Sequence, residues 1–439
     1  MNTRQLGLGM ATALVVGNTI GMGIFMQPAA LAPFGLNALT GWAVVIFGCV
    51  CLAFTFAALA RKLSHADGPF GYVRESLGEV VAFAALWCYW ISVWVTNAVL
   101  AIGVVGYFVS VFPAAKDIPP AVLAVVFMWA FVGVNLLGVR SGGRVQVVTS
   151  LLKVVPLALV LVVGAASILA SPGTYSPNVP TTPLTLHASM GAAAVALYAM
   201  LGFESAAVAA GRVRDPEKTI PRATLLGTLL VAVFYVGVVA IGMLVVPQAT
   251  LAASDAPFVT IADHLLGAGN GRWISLFIVI SGLGCLNGWT LLSGELTRTL
   301  ASHRLLPRIL GESNRFNAPW ASLLLTGVLA TFVGVMNYSA SLVGAFTKLS
   351  LIVSAANLPL YVCCSLALFY TLSRDAKDLS PALWFAGLGG VAFAAFAFLG
   401  VGWEPFLWAL ALGLAGVPIY FWMRRQLAGA SNSATPVPR

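Results

Sequence analysis

Charge is what this sequence has least of. Only 8% of its 439 residues are Asp, Glu, Lys or Arg, against roughly a quarter in soluble domains, while 60% are hydrophobic. Too few polar side chains remain to clothe a soluble globule, so the composition points to a multi-pass membrane protein. Histidine is also scarce: His65, His187, His264 and His303 fall in or beside expected loops, and none forms a metal-binding pair at helical spacing. The six cysteines, Cys49, Cys51, Cys88, Cys285, Cys363 and Cys364, all lie in apolar stretches without metal-ligand spacing and read as small core residues. No metal or other cofactor is expected. No nucleophile–base pair marks an enzyme, and the loops are too short to hold the signalling domain of a sensor.

What is abundant is apolar sequence, in twelve windows. They run Leu6–Leu31, Leu39–Ala60, Val80–Phe112, Ala121–Leu137, Val145–Ala170, Ala188–Gly211, Ala223–Val246, Trp273–Leu300, Ala321–Met336, Leu342–Leu372, Pro381–Gly400 and Phe406–Trp422. The first is longer than the core of a signal peptide and lacks a cleavage site, so it is read as a retained span. The net charge of +9 is no nucleic-acid footprint, because of where its charges lie. With the N-terminus inside, nineteen of the 23 Lys and Arg fall on the cytoplasmic side, Lys116 and Arg272 outside, and Lys153 and Lys348 within spans. That sorting satisfies the positive-inside rule and supports both the count and the orientation. The expectation is one multi-pass domain, residues 1–427, in the cell (inner) membrane with both termini cytoplasmic and a disordered tail over 428–439.

Two windows carry breaks. Gly17-Asn18-Thr19-Ile20-Gly21-Met22-Gly23-Ile24-Phe25 sits in the first, where a spanning helix has no other partner for freed backbone groups. One reading is a tight helix crossing through small residues; the other is a helix broken into two halves. A break leaves the N–H groups of the half-helix starting near Gly23 open to a carboxylate. Tyr198-Ala199-Met200-Leu201-Gly202-Phe203-Glu204-Ser205 in the sixth is the counterpart. Each opens a run of five spans, the arrangement of an inverted repeat with its substrate site at the repeat interface, about residues 6–170 and 188–372, followed by two further helices.

Four ionisable groups lie deep, and each invites a functional reading. Glu204, at the second break, is a residue type able to take and release protons. Lys153 can donate to carbonyls freed near Val16 and Gly17. Glu295 suits a pair with a basic loop residue, and Lys348 is near enough to the outer surface to snorkel. Tyr89, Trp90 and Trp289 are the aromatics most suited to a cavity wall, and Asn97 shares the face of Tyr89.

These residues carry a resemblance to the amino acid–polyamine–organocation transporters, specifically to their basic amino acid/polyamine antiporter branch. It rests on Gly17-Asn18…Gly21-x-Gly23-x-Phe25, Tyr89-Trp90…Asn97, Arg144-Val145-Gln146, Glu204-Ser205-Ala206-x-Val208-Ala209-Ala210-Gly211 and Gly288-Trp289-Thr290-Leu291-Leu292. The resemblance implies an all-α membrane fold of twelve transmembrane helices, a five-plus-five inverted repeat (LeuT-like) with helices 1 and 6 broken. It implies alternating access, with substrate bound by Asn18, Thr19, Gly21, Met22, Gly23, Asn97, Tyr198, Leu201 and Trp289. Tyr89, Glu204, Lys153 and Trp289 take gating or proton-linked roles. The function implied is exchange of an amino acid for an amine, of the arginine/agmatine type; the alternative is a proton-coupled permease or exporter of neutral amino acids. Met22 stands where such exchangers have a serine, Tyr198 replaces a tryptophan and Val93 a cysteine, so the substrate stays open. The partners are that small molecule and the lipid bilayer, and a homodimer is compatible with both.

Overall fold

Apolar segments in a bilayer must satisfy their own backbone groups, and helices do so. The computed structural model describes residues 7–63, 66, 68–138, 142–204, 213–338, 341–374 and 380–432. In chain order the helices of ten or more residues are α1 (Leu8–Thr19), α2 (Met22–Leu31), α3 (Asn37–Lys62), α4 (Gly68–Leu77), α5 (Glu79–Val111), α6 (Pro120–Leu136), α7 (Gly142–Ala170) and α8 (Leu186–Met200). They continue as α9 (Pro216–Val245), α10 (Pro257–Leu266), α11 (Arg272–Ser302), α12 (Trp320–Met336), α13 (Leu342–Arg374), α14 (Pro381–Gly400), α15 (Trp403–Leu414) and α16 (Gly416–Asn432).

Among the described residues, each of the twelve apolar windows contains helix. Among the described residues eight helical stretches, with α15 and α16 counted together, are long and apolar enough to cross a membrane; α1 and α2 meet at a bend of 49°, as in a broken span or a re-entrant pair, and α6, α8 and α12 are shorter apolar helices. Of these helices, α4 and α10 have no counterpart among the apolar windows, between which they lie. The excess length expected in the third and tenth windows is present: α5 and α13 each run 33 residues, about 50 Å at the helical rise. The last helix continues to Asn432, beyond Ala428 where the tail was expected to start; 433–439 lie outside the described residues.

The long α5 runs through the centre, packed by α11 and α13 and flanked by α6 and α12, while α3 packs against α8, α9 and α14. Glycine lets some of these helices touch closely: a Cβ on Gly48 of α3 would sit 2.0 Å from the Phe393 ring of α14. Lys348 does not simply snorkel; its Nζ pairs with Glu404 at 2.5 Å, tying α13 to α15. Glu295 pairs with Arg298 one turn on along α11, at 2.6 Å.

Candidate functional site

Helix α1 ends at Thr19 because Ile20 (φ −71°, ψ 98°) and Gly21 (φ −126°, ψ −162°) are extended, and α2 restarts at Met22. Carbonyls left without helical partners are met by donors from three other helices. Lys153 of α7, 1% exposed, donates to Gly17 O at 3.2 Å. Tyr235 of α9 donates its hydroxyl to Thr19 O at 2.8 Å, and the Cys285 thiol of α11 lies 3.9 Å from Ile20 O. An ammonium thus faces the negative end of the α1 dipole. At the opposite lip, among the described residues, no side chain caps the first turn of α2, so N–H groups of that turn are offered to an anion.

The sixth apolar window leaves the helix beside this break. After Met200, Leu201 is extended (φ −60°, ψ 138°) and Gly202 takes φ +105°. Only glycine fits there, since a Cβ would lie 2.8 Å from Asn18 O. The Gly202 N–H donates to Glu204 Oε2 at 3.2 Å, and Glu204 is 4% exposed. The motif from Ser205 to Gly211, and Arg144-Val145-Gln146 as side chains, lie outside the described residues.

Between the two breaks lies a small, partly open cavity of ≈ 20 Å³. Asn18, Thr19, Gly21, Met22, Gly23, Tyr198, Leu201 and Trp289, all singled out from the sequence, line it. Asn97 does not. It turns toward α11, accepting from Thr290 Oγ1 at 3.1 Å and donating to Ser293 Oγ at 3.5 Å. Its neighbours Thr96 and Leu100, spaced i and i+4 on α5, take the cavity face instead, together with Ala199. The Met22 thioether is buried between α5 and α11, where Gly103 and Gly282 make room: a Cβ on Gly282 would lie 2.6 Å from Met22 Sδ. Tyr198 is held edge-on by Phe346 of α13, ring centroids 5.6 Å apart. Trp90 belongs to packing, its indole N–H donating to Thr297 at 2.6 Å.

Below the cavity Glu204 lies within electrostatic range of Tyr89, Tyr361 and Cys49. The Tyr361 hydroxyl is buried with no hydrogen-bond partner among the described residues. Tyr361, Thr96 and Leu100 escaped the sequence reading because each looks like one more apolar-helix residue.

The sequence of the chain matches the family model of amino acid permeases over residues 6–421. The chain belongs to the amino acid permease family, within the amino acid–polyamine–organocation transporters. This permease is 32% identical over 337 residues to the cadaverine/lysine antiporter of Escherichia coli (strain K12), covering 76% of this chain and 75% of the relative. It is 29% identical over 414 residues to the arginine/ornithine antiporter of Pseudomonas aeruginosa, covering 90% and 85%. It is 27% identical over 423 residues to the putrescine transporter PotE of Haemophilus influenzae, covering 95% and 97%.

Proposed function

We propose that this permease is a secondary active exchanger of a basic amino acid for an amine, working by alternating access. Its twelve apolar windows cross the inner membrane in a five-plus-five inverted repeat, with both termini cytoplasmic. The observation that carries the reading is that the uncapped start of α2, Trp289 and Tyr198 open on one cavity. The α2 N–H groups seat the carboxylate, and the carbonyls of the two breaks receive the amino group. Among the described residues no carboxylate lines the cavity, so a cationic side chain is met by the Trp289 ring and by hydroxyl and carbonyl dipoles. The antiporters of lysine with cadaverine and of arginine with ornithine, to which the chain is similar, support a basic substrate. Met22 offers no hydroxyl to the carboxylate, and Tyr198 keeps an aromatic wall, so an ammonium or a guanidinium suits the site and arginine/agmatine is one pair within the class. Tyr89 and Glu204 form the inner gate.

A second reading, a proton-coupled permease of neutral amino acids, draws on the buried Lys153 ammonium at Gly17 O. A scintillation-proximity screen of the purified protein separates the two. Displacement by arginine, lysine or ornithine and by agmatine, cadaverine or putrescine is the expected outcome. Displacement by neutral amino acids alone would overturn it.

A further inference from the structure

Tyr107, near the far end of α5 from Glu79, is fully buried, yet its hydroxyl makes two bonds that the binding site does not require. It donates to Phe25 O of α2 at 2.6 Å and accepts from Phe258 N–H in the first turn of α10 at 3.2 Å. Phe25 and Phe258 meet edge to face, centroids 5.1 Å apart, with the Tyr107 ring 6.5 Å from Phe25. The segment leading into α10 also lies hard against α5, since a Cβ on Gly106 would be 2.0 Å from Asp255 O. Asp255 then reaches α13, accepting from Val343 N–H at 3.4 Å. Phe25 is one turn along α2 from the Met22 and Gly23 amides. One hydroxyl therefore joins the half-helix at the cavity to a short helix lying outside the apolar windows.

We propose that Tyr107 is a positioning residue that latches α10, as an external lid, onto α2 and holds the outer end of the cavity shut. The idea rests on the alternating-access reading, because only a site that opens alternately needs a releasable outer lid. Two hydrogen bonds to backbone groups and one aromatic edge contact form a closure that is specific yet weak enough to break in each cycle.

The test is site-selective labelling in proteoliposomes with a membrane-impermeant maleimide, native cysteine labelling being subtracted. Ala262→Cys reports on α10, and Ala58→Cys on the opposite end of α3; both positions are buried. Tyr107→Phe keeps the ring and removes both hydroxyl bonds. It is expected to raise Ala262→Cys labelling by about five- to thirtyfold, the factor corresponding to one or two lost hydrogen bonds. Ala58→Cys labelling should stay unchanged, which a general loosening of the fold would not allow. Should Tyr107→Phe fail to fold, Phe258→Leu keeps the N–H and removes the aromatic contact, for an expected rise of about two- to tenfold. Equal lid labelling with and without the substitution, or a matching rise at both reporters, overturns the latch. A selective rise in a protein that shows no exchange leaves the latch standing and removes only the exchanger reading.

Discussion

The claim that α2 seats a carboxylate is tested better at Gly21 than at Gly23, and the packing says why. A Cβ on Gly23 would lie 3.0 Å from Ala199 Cα and 3.2 Å from Ala199 Cβ, so Gly23 also sets the α2–α8 crossing. Gly23→Ala should therefore lower fold stability by about 1–3 kcal/mol as an overpacked contact, besides any effect on binding. Gly21 is different: it lines the cavity, its backbone is extended, and an added Cβ meets only Cys285 Sγ at 3.8 Å. Gly21→Ala should leave stability unchanged or raise it by up to about 1 kcal/mol through the unfolded chain. Its methyl would stand beside the N–H groups offered to the carboxylate. Loss of one charge-assisted hydrogen bond corresponds to about 1.5–3 kcal/mol, or ten- to hundredfold in Kd. Thermal unfolding of both variants, with equilibrium binding of radiolabelled lysine and arginine, supplies the comparison. Gly21→Ala with unchanged Tm and unchanged affinity would refute the seat.

Trp289→Ala should weaken binding of a cationic substrate by about 0.5–2 kcal/mol, the scale of a cation–π contact, whereas a nearly silent Trp289→Phe would favour a neutral substrate. Glu204→Gln keeps a hydrogen-bonding side chain without charge, so transport should persist with a flattened pH dependence between about pH 5 and 8. If that profile stays as in the parent and Lys153→Ala loses it, the ammonium at Gly17 O carries the coupling instead. Asp255 lies outside the spans, and burial raises its carboxyl above the usual value against the lowering effect of the Val343 and Leu342 N–H groups. A raised value means that the folded chain binds this proton more tightly than the unfolded one, so ionisation costs stability at neutral pH and the cost disappears on acidification. Asp255→Asn should raise Tm at neutral pH and change nothing below about pH 3.9, where both states are protonated; a larger gain in acid would contradict the sign.

The breaks were readable because glycine and asparagine in mid-span conflict with the bilayer's demand for paired backbone groups. For the same reason Lys153 was readable as a donor to the carbonyls around Gly17, since a buried ammonium needs an acceptor. Tyr235 and Cys285, which meet the neighbouring carbonyls, were not, because Tyr and Cys are unremarkable in apolar helices and only the packing of α9 and α11 brings them to the break. Asn97 shows the converse: its polarity suggests a cavity, but its rotation on α5 sends it to Thr290, and its neighbour Thr96 faces the space. Lys348 was read alone because Glu404, its partner, lies 56 residues away on another helix. The lid helix α10 was invisible to windows sized for a bilayer, being only ten residues long.

The central claim is obligatory exchange of a basic amino acid for an amine, and counterflow tests it most directly. Proteoliposomes loaded with agmatine, cadaverine or putrescine, and empty ones, are given radiolabelled arginine, lysine or ornithine outside. The account predicts rapid uptake into at least one loaded set and almost none into empty vesicles. Equal uptake into empty vesicles under an imposed pH gradient, or uptake of neutral amino acids alone, would contradict it.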